Sequence, residues 1–313
     1  MSLPHAFAIL GPTASGKTAL ALHIAEQIPA EIISLDSALV YRGMDIGTAK
    51  PSLQEQAAVP HHLIDIISPL ESYSAAEFVA DCNRLCQEIS ARGRLPLIVG
   101  GTMMYFHALT NGLNDLPEAD AEVRRQLSEE KARHGLAGLY QRLQEVDPLT
   151  ADRLQPSDSQ RIERALEVWM LTGQALSEHF RRQNAYQPAV ELSTLALIPD
   201  DRSLLHRRIA LRFETMLEQG FLDEMRTLQQ HYPELTPDLP SMRCVGYRQA
   251  WDYLAGVVGY DEFVEKGIVA TRQLAKRQLT WLRKLTPDGT ADCGQPVEAI
   301  WPTVQAMLPE AYR

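Results

Sequence analysis

Cysteine is scarce in this chain and long apolar runs are missing. Only four cysteines occur in 313 residues. Cys82 and Cys86 lie four apart in a helical pattern, while Cys244 and Cys293 are far away. None has zinc-ligand spacing, which excludes a zinc module and a disulfide scaffold and points to reduced thiols. No apolar stretch approaches the roughly 20 residues that span a bilayer. Met1-Ser2-Leu3-Pro4-His5 carries neither the basic nor the apolar region of a signal peptide. The expectation is a cytoplasmic protein with no membrane contact. Excess positive charge is absent too: 30 Lys and Arg against 40 Asp and Glu leave a net charge of −10, which on its sum argues against a polyanion partner. Internal repeats and low-complexity segments are also missing. What remains is ordinary globular composition, 45% hydrophobic and 22% charged, long enough for one large or two modest domains.

Against these absences stands one strong motif, Gly11-Pro12-Thr13-Ala14-Ser15-Gly16-Lys17-Thr18, which fits the phosphate-binding loop G-x-x-x-x-G-K-[ST]. Ala6-Phe7-Ala8-Ile9-Leu10 before it is an apolar run of strand length, and Ala19 to Ala25 after it are good helix formers. Gly11 and Gly16 let the backbone approach an anion. Successive N–H groups and the helix N-terminus supply partial positive charge. Lys17 brings a mobile cation for the terminal phosphates, and the Thr18 hydroxyl can ligate Mg²⁺. The motif specifies a diphosphate or triphosphate but does not specify ATP.

Further along, Glu31 to Leu35 reads as a second strand ending in Asp36-Ser37. In a parallel sheet ligands bind at the carboxyl ends of strands, so Asp36 is aimed at the same crevice as the loop. Tyr41 to Lys50 reads as a polar, Gly-punctuated loop. His61 to Ile67 is a third strand candidate, its paired histidines structural. Ser74 and Glu77 form a capping box for a helix to Arg92, with Gly93 just past its end. Leu95 to Val99 is an apolar fourth strand running into Gly100-Gly101-Thr102, which brings Thr102 to the crevice. From Glu118 to Gln187 only helical spacing is visible, punctuated by Pro148, Pro156 and Gly173. Ser157 or Asp158 caps one of these helices, with Arg161 and Arg164 on one face. Strand character returns at Leu192–Ile198, followed by helices over Arg202–Glu218, from Gly220, over Tyr247–Leu254 and over Phe263–Leu285. After Pro287 the pattern fades.

Charge distribution qualifies the acidic sum. Between Lys266 and Pro287 stand Lys266, Arg272, Lys276, Arg277, Arg283 and Lys284 and no acidic residue, which suits a polyanion face. The strand at Leu97-Ile98-Val99 lacks the aspartate by which P-loop NTPases hold Mg²⁺, and Asp65 is a weak substitute. Asp36 is better placed as a base. The residues therefore suggest a group transferase with a diphosphate on the loop, a carboxylate base opposite and a nucleophile between. A P-loop small-molecule or nucleoside kinase using ATP is the alternative; it has no use for the basic stretch. A non-catalytic RNA-binding protein is a further rival.

Six blocks in order carry a resemblance: Gly-Pro-Thr-Ala-Ser-Gly-Lys-Thr (11–18), Asp-Ser-Ala-Leu-Val-Tyr (36–41), Asp-Ile-Gly-Thr-Ala-Lys-Pro (45–51), Gly-Gly-Thr (100–102), Arg-Cys-Val-Gly-Tyr-Arg (243–248) and Thr-Arg-Gln-Leu-Ala-Lys-Arg-Gln-Leu-Thr-Trp (271–281). Together they resemble the bacterial tRNA dimethylallyltransferase (tRNA isopentenyltransferase) family over nearly the whole chain. The resemblance implies an α/β fold, a P-loop NTPase-like parallel sheet flanked by helices, with an all-helical insertion. The expected core is residues 1–117 and 190–313, and the insertion, residues 118–189, would contact the anticodon stem-loop.

The implied reaction transfers the dimethylallyl group of dimethylallyl diphosphate to N6 of adenosine 37, in tRNAs reading codons that begin with U. Mg²⁺ is the implied cofactor, tRNA the partner, a monomer without an obligate protein partner the expected form. The loop 11–18 would cradle the diphosphate. Lys17, the N–H groups around Thr13–Ser15 and Arg212 would stabilise the leaving charge, Mg²⁺ being held through Thr18. Asp36 would accept the amine proton, with Thr102 beside the RNA. The same comparison puts Asp36, Ser37, Ala38 and Leu39 on the tRNA, with Arg124 and with Gln160, Arg161, Ile162, Glu163 and Arg164. It adds Arg243, Cys244, Val245, Gly246, Tyr247 and Arg248, and on the last long helix Lys276, Arg277, Gln278, Leu279, Thr280, Trp281, Leu282 and Arg283.

Overall fold

The computed structural model describes residues 3–113, 116–182 and 186–312. The chain divides into two compact units, Met1–Thr110 with Pro188–Arg313, and Asn111–Gln187. Residues 183–185, within the stretch expected to hold no strand, lie outside the described residues.

The larger unit is built on a six-stranded parallel sheet of order β3-β2-β4-β1-β5-β6. Its strands are β1 (His5–Leu10), β2 (Ala30–Leu35), β3 (His61–His62), β4 (Leu95–Gly100), β5 (Glu191–Ile198) and β6 (Gly289–Asp292). The central strands β1, β2 and β4 are buried almost throughout, as continuous apolar runs demand when both sheet faces are covered. Alternation then sorts their side chains. Ala6, Ala8, Leu10, Ile33, Leu35 and Ile98 face one layer, Phe7, Ile9, Ile32, Leu97 and Val99 the other.

The first layer holds α3 (Ala75–Ala91), α4 (Met103–Asn111), α9 (Arg202–Glu218) and α12 (Tyr260–Leu282). The second holds α1 (Lys17–Gln27) and α13 (Val297–Met307). A third cluster packs α9 and α12 with α10 (Phe221–His231) and α11 (Tyr247–Leu254) over Val40, Tyr41 and Met44. Between β2 and β3 lies the short α2 (Leu53–Ala58). The chain closes on a 3₁₀ turn at Glu310–Tyr312. Among the described residues no helix is long and apolar enough to cross a membrane.

The smaller unit contains α5 (Ala121–Val146), α6 (Pro148–Ala151), α7 (Ser159–Thr172) and α8 (Leu176–Arg182) around Leu127, Leu139, Leu143, Ile162 and Leu166. The chain breaks helical geometry inside α5 at Gly135, whose φ of 70° and ψ of 174° suit glycine. Of the two cap candidates for α7, Asp158 takes the role.

Three expectations need correction. The third strand pairs only at His61 and His62, because Leu63 and Asp65 adopt positive φ and turn the chain away. The same turn removes Asp65 from any strand end and ties it to Lys50. The loop read over Tyr41–Lys50 is followed by α2, for which no element was expected and which is opened by a capping box of Ser52 and Glu55. The tail after Pro287 adds the edge strand β6, whose Gly-Thr-Ala-Asp has no apolar signature and is ordered by pairing with β5.

Candidate active site

The loop between β1 and α1 has the form its glycines allow. Gly16 is left-handed at φ 81° and opens α1. A side chain on Gly11 would come within 2.6 Å of Ser15 Oγ and 3.1 Å of the Leu197 carbonyl. Lys17 folds back to donate to the Pro12 carbonyl at 2.6 Å. Desolvation, with Arg212 nearby, lowers its pKa to about 8, although Asp36 partly offsets this. Arg212 on α9 is likewise held below the usual guanidinium range by burial, again against the attraction of Asp36. Lys17 and Arg212 are therefore both desolvated and both feel the charge of the half-exposed Asp36, at the carboxyl ends of β1 and β2.

Asp36 leaves β2 and accepts from the Ala38 N–H at 2.8 Å, a turn that fixes its carboxylate. Beside it, Gly101 and Thr102 both donate their N–H groups to the Leu35 carbonyl, at 3.2 and 3.1 Å. Gly100 is required there, because a Cβ would stand 2.1 Å from that carbonyl. Thr102 Oγ1 accepts from the Ser37 N–H at 3.0 Å and donates to Ser37 Oγ at 3.3 Å. The ends of β2 and β4 are thus stitched into one surface carrying Asp36, Ser37 and Thr102. Burial also raises the pKa of Tyr105 and takes the Cys244 thiol to about 12, with Asp36 contributing to both.

One feature of the loop differs from expectation. The Thr13 N–H is not open to an anion, because it donates to Gln278 Oε1 at 2.8 Å. Two further groups had no local sequence signal. Glu224 on α10 accepts from the N–H groups of Asp45, Ile46 and Gly47 at 2.9, 2.6 and 3.1 Å, and from the Tyr247 hydroxyl. Lys50 donates to the Tyr41 carbonyl and to Asp45, closing the same loop.

Thr18, in the first turn of α1, has an exposed hydroxyl with no hydrogen bond among the described residues. No group of three or more His, Cys, Asp and Glu there is placed to hold a metal. A hard oxygen donor without a carboxylate cage fits Mg²⁺ that arrives with phosphate oxygens and keeps its waters.

The residues expected on RNA divide by exposure. Ser37, Arg243, Arg248, Lys276, Arg277, Thr280, Trp281 and Arg283 are exposed, and Ala38, Leu39, Thr102, Cys244 and Val245 partly so. Gly246, Tyr247, Gln278, Leu279 and Leu282 are buried in the larger unit; Leu279 and Leu282 pack in its core, and Tyr247 and Gln278 hydrogen-bond to the protein itself. Trp281 meets His107 edge to face at 5.9 Å. In the smaller unit Gln160 and Arg161 are exposed, whereas Ile162 is a core side chain. Glu163 is taken by Lys131, and Arg124 and Arg164 both bond Glu167.

The IPP transferase family model matches residues 39–285, and an isopentenyl transferase model matches residues 4–65. A tRNA dimethylallyltransferase of Neisseria meningitidis serogroup C is 66% identical over 292 residues, 93% of each chain. One of Chromobacterium violaceum is 60% identical over 282 residues, 90% of this chain and 87% of the other. Among solved structures, the tRNA isopentenylpyrophosphate transferase of Bacillus halodurans superposes with a TM-score of 0.69 at 35% identity, covering 98% of both chains. A eukaryotic dimethylallyltransferase acting on tRNA gives 0.73 at 28% identity, over 89% of this chain and 69% of that one.

Proposed function

The chain belongs to the IPP transferase family, and from that premise we propose that it transfers the dimethylallyl group of dimethylallyl diphosphate to N6 of adenosine 37 in tRNA, releasing diphosphate. The observation that carries this reading is the convergence of the desolvated cations Lys17 and Arg212 on the carboxylate of Asp36, with Thr102 on the adjoining strand end. A prenyl transfer needs a cationic cradle for a departing diphosphate and a carboxylate facing the incoming amine. The kinase reading is not favoured: the relatives are tRNA prenyltransferases, and the exposed basic face of α12 has no role in phosphoryl transfer.

The exocyclic amine of adenine is a weak nucleophile because its lone pair is shared with the ring. As N6 attacks the allylic carbon and the C–O bond breaks, N6 must lose a proton. Asp36, pre-oriented by Ala38, accepts it. Lys17 swings from the Pro12 carbonyl to the diphosphate, and Arg212 faces the same oxygens, so the charge on the leaving group is stabilised where it grows. Thr18 would hold Mg²⁺ together with diphosphate oxygens, which supplies further neutralisation of that charge. Thr102 and Ser37 receive the extruded base, whose loop position makes extrusion cheaper than from a duplex. Lys276, Arg277, Arg283, Arg243 and Arg248 grip backbone phosphates. The helical unit, residues 118–189 in the expected division, contributes Arg124, Gln160 and Arg161 to the anticodon stem-loop, and the working form is a cytoplasmic monomer.

The test is an assay with an unmodified anticodon stem-loop RNA carrying adenosine 37. One reaction holds dimethylallyl diphosphate and Mg²⁺, the other ATP and Mg²⁺. A mass gain of one dimethylallyl group in the first alone establishes donor, acceptor and reaction type. ATP consumption in the second, with no gain in the first, would restore the kinase.

A further inference from the structure

Gln278 sits in the middle of the basic helix α12, yet its side chain points away from solvent and is 9% exposed. Both ends of its amide are used. Oε1 accepts the Thr13 N–H at 2.8 Å and Nε2 donates to the Gly101 carbonyl at 2.9 Å. Only one orientation of the amide satisfies both partners, so the residue is specified as glutamine rather than merely as polar. The site is shaped around it: a Cβ on Gly101 would stand 2.3 Å from Nε2 and 3.0 Å from the Gly11 carbonyl. The neighbouring residues Lys276 and Arg277 face solvent, and Ala275, Leu279 and Leu282 anchor the helix in the core.

One amide therefore joins three elements. Thr13 belongs to the diphosphate loop. Gly101 precedes Thr102, on the surface that carries Asp36. The amide itself rides on the helix that presents cations to RNA. We infer that Gln278 is a positioning residue through which RNA seated on α12 sets the diphosphate loop, so that RNA binding tightens diphosphate binding. The inference rests on the function proposed above. Its physical content is preorganisation. Phosphates held by Lys276 and Arg277 fix α12, Gln278 then fixes Thr13 against Gly101, and the loop loses less freedom when the diphosphate arrives. The coupling is reciprocal, so diphosphate must tighten RNA binding by the same factor.

The experiment measures binding of dimethylallyl S-thiolodiphosphate, a poorly leaving analogue, with and without a saturating anticodon stem-loop RNA. Gln278→Met keeps the length and loses both hydrogen bonds. Gln278→Glu keeps an acceptor for Thr13 but turns a carboxylate towards the Gly101 carbonyl, and stands in if the first variant does not fold. In the unaltered protein RNA should tighten the analogue by a factor within the usual range of about 5 to 150. In either folded variant the factor should fall to near one, while RNA affinity alone stays within a few-fold. A general loss of structure would weaken both ligands and would not abolish the ratio selectively. An unchanged ratio in a folded variant overturns the inference, as does an unaltered protein that prenylates RNA yet shows no coupling. Failure of the unaltered protein to prenylate RNA at all would instead overturn the function beneath it.

Discussion

Arg212 donates from Nη2 to the backbone carbonyl of Thr48 at 3.3 Å, across 164 residues of sequence. The carbonyl is where it is because Glu224 holds the three preceding N–H groups, from Asp45 to Gly47. Close packing completes the arrangement: a Cβ on Gly47 would lie 2.2 Å from Phe221 and 2.7 Å from Tyr247. The arginine we propose for the leaving group is thus set by a carboxylate that is spent on the protein's own backbone and on Tyr247. Glu224→Ala strands three backbone donors and a buried tyrosine hydroxyl. Hydrogen bonds to a charged group contribute about 1.5–3 kcal/mol each when a partner is deleted, so the variant should unfold at clearly lower denaturant and bind diphosphate more weakly. Glu224→Gln keeps an acceptor and should recover most of the stability. Urea melts of the two variants, read with diphosphate titrations, check both statements.

Lys17 gives a pH dependence with a definite sign. Its pKa is lowered to about 8 in the free protein by desolvation. Below that value the ammonium is present and ready for the diphosphate. Above it the free protein carries a neutral Lys17, and the diphosphate must draw a proton in to recover the ion pair. Affinity for dimethylallyl diphosphate should therefore be flat below pH 8 and fall above it, by up to about tenfold per pH unit. Calorimetry near pH 8 in buffers of different ionisation heat should show proton uptake on binding. Lys17→Met should bind weakly and lose the dependence.

Asp36→Ala removes the proposed base and leaves the basic surface of α12 untouched. General-base catalysis is typically worth about 10²–10⁴-fold, so single-turnover prenylation should fall by that order while stem-loop RNA still binds. Asp36→Asn is the sharper variant, since an amide can still accept from the Ala38 N–H and keep the turn. Unchanged turnover in either would move the base elsewhere.

These residues differ in how far the sequence alone announces them. The form of the loop at residues 11–18 and the place of Asp36 are legible because each obeys a local rule, a fixed glycine spacing or a carboxylate at the end of an apolar strand. The helices α3 and α9 are legible through a capping box and apolar periodicity. The strand β6 is not, because Gly-Thr-Ala-Asp acquires its conformation from β5 alone. The run expected as a long third strand fails because Leu63 and Asp65 take left-handed conformations that apolar content does not announce. The capping box of Ser52 and Glu55 was legible in principle and marks α2. Glu224 and Gln278 are illegible for a different reason. Each meets its partners across more than 170 residues, apart from Tyr247 for Glu224. Gln278 also sits among cations that suggest an outward-facing side chain.

Arg243 and Arg277 test the polyanion face against the acidic sum of the chain. Both are exposed, and among the described residues the Arg243 guanidinium has only a long 4.0 Å contact with Asp238 to occupy it. Such cations bind phosphates by releasing counterions, so each lost contact should lower the slope of log affinity against log salt by about 0.7–0.9. Arg243→Ala and Arg277→Ala should therefore weaken stem-loop binding most at low salt and converge on the unaltered protein as salt rises. Diphosphate affinity without RNA should not move, because neither guanidinium bonds the loop of residues 11–18. Filter-binding titrations at several salt concentrations measure the slope directly. A uniform loss at all salt concentrations would mean that these arginines shape the protein rather than grip phosphate. Equal loss of diphosphate binding would place them at the other substrate.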